Sequence, residues 1–249
     1  MPLKESEAII LRSYPMGEGD RLVSFLDRQV GRLRGVARGA RMPKSRFGST
    51  LEMLSYVRIW YFEQESRDLV RINQCELLES FVEAQRDYHS GVLLATVSEL
   101  TEAILEEREA ADAQFRLILV TARAIRDRGA SALVLAYFAL WTVRLAGWLG
   151  SFEQCARCGK AIADGPGYAT ITSGLLCASC GRGKGRKISR ASLEIIGRMI
   201  STPLYRLPEE KRLSASAREI SAYALDIAEH HLEKKLVTRP MLEFKETWV

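Results

Sequence analysis

Two C-x-x-C pairs constrain this chain more than any other feature. Cys155 and Cys158 stand in CARC, Cys177 and Cys180 in CASC, with 18 residues between the pairs. Two residues between thiolates let one tight turn present both sulfurs to a single tetrahedral ion. Two such turns give the four-cysteine zinc pattern. A glycine follows each pair, Gly159 and Gly181, where a positive φ would turn the backbone toward the sulfurs. A redox dithiol and an empty structural remnant compete with this reading. A redox motif normally occurs once, in a βαβ setting that is absent here. Four protein sulfurs would close the site, so the expected cofactor is one structural Zn2+ that shapes residues 155–181. The fifth cysteine, Cys75, lies in an apolar, strand-like run and reads as a small buried hydrophobe.

The first 78 residues read as β structure. EAIILRSY, RLVSFLD, GRLRGVARG, EMLSYVRIWYFE and LVRINQCELL are short runs separated by Gly, Pro, Asp or Ser. In YVRIWYF, Val57, Ile59 and Tyr61 would face one side and Arg58, Trp60 and Phe62 the other. Five strands with basic turns suit a small closed barrel, of which the OB barrel is one form.

Helices follow from Glu79. Leu93, Val97, Leu100 and Ile104 recur at helical spacing, with Glu99, Glu102, Glu106 and Glu107 on the surface. FRLILVTARAIRD and ALVLAYFALWTVRLAGWLG read as two more helices, with Gly150 a candidate cap for the second. Ile220, Tyr223, Ala224, Ile227, Ala228 and His231 would share one face of a helix near the C-terminus. The expected fold class is therefore α+β and multidomain. It has a five-stranded OB-type barrel, a central helical domain with an inserted four-cysteine zinc module, and C-terminal helices. The chain starts without a secretory h-region. The uncharged run 129–143 has 15 residues, short of the roughly 18 a membrane span needs. A cytoplasmic protein without membrane contact is expected.

Charge points to a partner. From Arg28 to Arg46 there are seven Lys or Arg residues and no Asp or Glu. Residues 1–75 carry 13 basic and 9 acidic groups, 76–154 carry 7 and 12, and 155–190 carry 7 and 1. Two basic zones around an acidic middle form the footprint of a nucleic-acid binder, with plain solubility as the alternative. Arg32 and Arg34 would share a strand face. Arg38, Arg41, Lys44 and Arg46 fall in or near the next loop, marked by Gly39 and Pro43, where cations contact phosphates without reading bases. Arg12 and Arg58 extend this patch, and Trp60 is either a base-stacking ring or a core aromatic. A second patch, Arg182, Lys184, Arg186 and Lys187, follows the last cysteine, and its glycines suggest a mobile arm.

Catalytic signatures are missing: there is no GxGxxG, GxxxxGK or HExxH. His230 and His231 would point about 100° apart on a helix and cannot form a facing pair, and His231 reads as a packed residue. A non-enzymatic binding protein is expected. Its competitors are a zinc-ribbon adaptor that binds RNA in transcription or translation, and a zinc hydrolase, which four cysteine ligands argue against.

Taken in order, these segments resemble the RecO family of bacterial recombination and repair mediators. RSYPMGEGDRLVSFLDRQVGRLRGVARGARMPKSRFGSTLEML carries much of the likeness. LWTVRLAGWLGSFEQCARCG, SGLLCASC and EHHLEKKLVTRPML continue it along the chain. The resemblance implies an OB domain over 1–78 and a helical domain over 79–249 that holds a zinc module at 151–188. It implies binding of single- and double-stranded DNA, annealing of single strands, and help in loading the recombinase RecA onto strands coated by single-strand-binding protein. The implied partners are RecR and the acidic C-terminal tail of single-strand-binding protein, and the implied location is the nucleoid. An apolar groove near Leu140, Trp141 and Leu145, beside Arg144, is the candidate seat for that tail.

Overall fold

The computed structural model describes residues 2–63, 68–162, 165–171, 174–208 and 213–242. They form two compact units, Met1–Gly129 and Ala130–Val249. The boundary expected between residues 78 and 79 falls inside the first compact unit. The first compact unit runs beyond it because the next two helices pack on the barrel. Residues 163–164 and 172–173 of the expected zinc module lie outside the described residues.

The five expected strands are present: β1 (Leu3–Met16), β2 (Asp20–Asp27), β3 (Gly31–Ala37), β4 (Tyr56–Phe62) and β5 (Val70–Glu79). They close a barrel in the order β1-β2-β3-β5-β4, with β4 returning to β1. The one parallel pairing, β3 with β5, is short. Alternation builds the wall: Leu33, Val57, Ile59, Tyr61 and Ile72 point inward with Phe25, Ala8 and Ile10. Phe47 and Leu51, from the β3–β4 connection, join this core. Gly35 lets β3 meet β5, since a Cβ there would lie 2.8 Å from Val70 Cγ2. Cys75 is buried as expected, and burial pushes its thiol up to about 12. Asp27 is wholly buried and accepts from Ser6 Oγ, the Tyr61 hydroxyl, and the backbone N–H groups of Gln29 and Val30.

Two helices, α1 (Tyr88–Ile104) and α2 (Asp112–Arg128), complete this unit. Ser98 Oγ donates to the Leu11 carbonyl at 2.6 Å, and Arg12 pairs with Glu102 at 2.8 Å, fixing α1 to β1. Glu99, expected on the surface, is buried, because α1 turns that side toward packed protein.

In the second unit α3 (Ala132–Leu145) is buried along most of its circumference and packs chiefly on α6 (Ser214–His231). Gly147, not Gly150, turns the chain after α3: its φ is +74° and its N–H donates to the Arg144 carbonyl. A three-stranded sheet holds β6 (Gly167–Thr170) between β7 (Gly174–Leu176) and β8 (Arg186–Ile188). The short α4 (Ala178–Gly181) lies between β7 and β8, and α5 (Arg190–Ser201) follows. The sheet was not expected, whereas α5 and α6 are the expected C-terminal helices. His231 is exposed rather than packed, and stacks on Trp148 at 4.7 Å with planes 9° apart.

Candidate metal centre and nucleic-acid interface

The four cysteines converge. All four Sγ atoms lie within 4.8 Å of one another. A zinc–thiolate bond of about 2.3 Å implies tetrahedron edges of about 3.8 Å, and Cys158 and Cys177 are 3.8 Å apart. The donor set therefore fits a metal ion. Cys155 is held in a hairpin, its N–H donating to the Lys160 carbonyl. Gly159 takes the expected positive φ, +71°. Gly181 does not: it ends α4, and a Cβ there would lie 2.4 Å from Tyr168 Cβ. Close packing, not a left-handed turn, requires that glycine.

The thiols differ. The Cys177 thiol is pulled down to about 6, first by the Ser179 hydroxyl at 3.1 Å and then by the Cys180 backbone N–H. Hydrogen bonding to neighbouring sulfurs, Cys158 first, pushes Cys180 up to about 11. A cation seated among the four sulfurs would offset the charge they carry as thiolates.

The first basic stretch divides into two groups. Arg32 and Arg34 do share the outer face of β3. Both turn to the connection between α1 and α2: Arg32 Nε donates to the Leu105 carbonyl at 2.8 Å, and Arg34 Nε lies 2.5 Å from Glu107 Oε1. Sequence reading missed Glu107 as their partner. Arg38, Arg41, Lys44 and Arg46 are exposed in the loop after β3. Arg41 anchors it, its backbone N–H donating to the Gly19 carbonyl and its guanidinium to the Gly17 carbonyl. Among the described residues, Arg38 and Lys44 make no ion pair. Arg58 pairs with Glu5 and Glu76. Trp60 lies on the outer wall, half-buried, its indole N–H donating to Glu5, so it is not a core aromatic.

The second patch is not an arm. Arg186 and Lys187 belong to β8, and Arg186 pairs with Asp226 at 2.6 Å. Arg182, Lys184 and Lys187 are exposed and make no ion pair among the described residues. Leu140 is buried, whereas Arg144 lies beside a groove of about 810 Å³ walled by Leu149, Phe152, Ile162, Leu193 and Ile196. Arg190, Glu153 and Glu194 also line it. No helix among the described residues is long and apolar enough to cross a membrane.

Fold and cluster together define an α+β protein with an OB-type barrel, helices, and a four-cysteine module that could hold a metal ion. The family model for the N-terminal part of recombination protein O matches residues 1–81, and that for its C-terminal part matches residues 85–240. A DNA repair protein RecO of Koribacter versatilis is 37% identical, over 97% of this chain and 98% of its own length. That of Frankia casuarinae is 31% identical, over 98% and 99%. That of a Nocardioides species is 38% identical, over 72% and 74%. The chain belongs to the RecO family of DNA repair proteins.

Proposed function

We propose that this chain is a non-enzymatic protein of recombinational repair that binds single- and double-stranded DNA and anneals complementary single strands. On this reading it also helps a recombinase load onto strands coated by single-strand-binding protein. The observation that carries the reading is the exposed cationic loop Arg38, Arg41, Lys44 and Arg46, anchored to the β1–β2 turn of the barrel. A loop of this kind positions phosphates and leaves bases free to pair. Arg182, Lys184 and Lys187 offer a second phosphate contact near the cysteine cluster.

Zinc is the metal the four sulfurs suit best. It would neutralise them and hold β6, β7 and α4 in register, and four protein ligands leave no position for a substrate. RecR and the acidic tail of single-strand-binding protein are the proposed protein partners. The groove beside Arg144 supports the second: apolar walls suit an apolar chain end and the guanidinium suits acidic residues. The proposed location is the cytoplasm, at the nucleoid.

An annealing assay tests the function. The purified protein should join labelled complementary strands without ATP and leave their lengths unchanged on a denaturing gel. Failure to speed annealing, or strand cleavage by clean protein, would overturn this reading.

A further inference from the structure

A strict period of two, continued from the inward Ala8 and Ile10, would aim Arg12 and Tyr14 into the barrel. The β1–β2 register shifts between Ile10 and Arg12. That bulge turns both residues outward. Tyr14 then pairs with Leu22, and Leu22 with Val36. Val36 pairs in turn with Arg71 of β5. One outward row across three strands is thus tyrosine, leucine and valine, with a guanidinium next in line. Tyr14 is 44% exposed, and Leu22 and Val36 are half-buried. The Arg12 guanidinium donates to the Tyr14 hydroxyl at 3.1 Å, which orients the ring by its edge.

The charges on either side of this row are unequal. The row below holds Arg12 and Arg34, each already paired, with Glu102 and Glu107. Above it, Asp20 pairs with Met16 and its carboxylate accepts from the Gly39 N–H, while Arg38 is exposed in the turn that follows β3. Arg41 docks there on the Gly17 and Gly19 carbonyls. Met16 and Met42 add exposed apolar surface at that end. With the Asp20 carboxylate engaged by the loop backbone, Arg38 and Arg41 make no ion pair among the described residues, and an apolar floor with one ring beside these two cations complements a strand with bases on one side and phosphates on the other.

We infer that the row Tyr14, Leu22 and Val36 is a base-stacking face for single-stranded nucleic acid, with Tyr14 taking a base on its ring. Arg38 and Arg41 hold the adjoining phosphates. The inference rests on the nucleic-acid-binding reading above and adds to it a discrimination between single and double strands. In a duplex the base faces are already stacked, so Tyr14 has nothing to take.

The test compares wild type, Tyr14→Ala and Tyr14→Phe by fluorescence anisotropy. The probes are a labelled oligothymidine, the same oligomer with abasic sites, and a duplex of equal length. Tyr14→Ala should weaken oligothymidine binding roughly tenfold. It should leave abasic and duplex binding, and the salt slope, nearly unchanged. Tyr14→Phe should bind like wild type. Normal wild-type binding with no loss in Tyr14→Ala, or an equal loss on the abasic oligomer, would overturn the stacking face and leave the charge reading intact. Absence of salt-dependent binding by wild type would overturn both. A circular dichroism melt confirms that each variant is folded.

Discussion

Arg34 Nε lies 2.5 Å from Glu107 Oε1, and Arg32 Nη1 lies 3.6 Å from the same oxygen. One carboxylate thus occupies two cations that strand alternation places on the outer barrel wall. The Arg34 contact is an ion pair rather than an aligned hydrogen bond. Glu107→Gln should free the Arg34 guanidinium for phosphate, while Arg32 stays tied to the Leu105 carbonyl. For single strands the log–log salt slope changes by about 0.7 per phosphate contact. The variant should therefore bind oligothymidine more tightly at low salt, with a slope steeper by about 0.7. Anisotropy across a salt series reads this directly, and an unchanged slope would mean that Arg34 stays out of reach of DNA.

The cysteine cluster predicts a proton count. With Cys180 pushed up to about 11, that thiol keeps its proton at neutral pH, whereas Cys177, pulled down to about 6, is largely thiolate. Metal ligands must be deprotonated, so zinc uptake near pH 7 should release at least one proton. Affinity should fall as pH drops through the Cys177 value, because acid then competes with the metal for that sulfur as well. Calorimetry of zinc uptake in buffers of different ionisation enthalpy counts the protons. Native mass spectrometry of Cys177→Ser should show the bound zinc of the wild type lost or reduced.

Local chemistry was legible in the sequence, and distant pairing was not. The C-x-x-C spacing alone gives all four candidate ligands, because each pair is made within one turn. Alternation in GRLRGVA and YVRIWYF gives the barrel faces, because the side-chain period of a strand is a backbone property. Glu107 as the partner of Arg34 depends on how the chain returns to the barrel after α1, and no local pattern encodes that return. The outward turn of Tyr14 depends on a one-residue bulge that hydrophobicity does not mark, since Ile9, Ile10 and Leu11 are all buried. The glycines of GRGKGRK suggested mobility. Gly185 instead follows from packing, since a Cβ there would lie 2.5 Å from the Ala169 carbonyl oxygen.

Asp27 should prove the most sensitive polar residue of the barrel. Its carboxylate, fully buried, accepts from two backbone N–H groups at the β2–β3 turn and from two hydroxyls. Asp27→Ala strands these donors, and each buried unsatisfied group costs about 1–3 kcal/mol. Allowing for partial relaxation, the loss should be about 3 kcal/mol or more. Urea unfolding followed by circular dichroism measures it. A loss below about 1 kcal/mol would mean that water replaces the carboxylate at the barrel end.

The loop itself carries the decisive prediction. Arg38, Arg41 and Lys44 are exposed, and only Arg41 is tied to the barrel, through backbone carbonyls that leave its charge unneutralised. If all three touch phosphates, binding releases the counterions condensed there. Replacing all three with Ala should flatten the single-strand salt slope by about 2. Affinity should drop to a similar degree for every base sequence, since phosphates carry no base identity. Tyr14 stays in place in this variant, so the preference for oligothymidine over its abasic form should survive even as overall affinity falls. The fold should also survive, because the loop's apolar anchors, Phe47 and Leu51, are untouched and exposed Arg and Lys side chains contribute little to stability. An unchanged slope in a folded triple variant would move the phosphate contact to Arg182, Lys184 and Lys187, and the same salt series on their Ala variants would then show the loss.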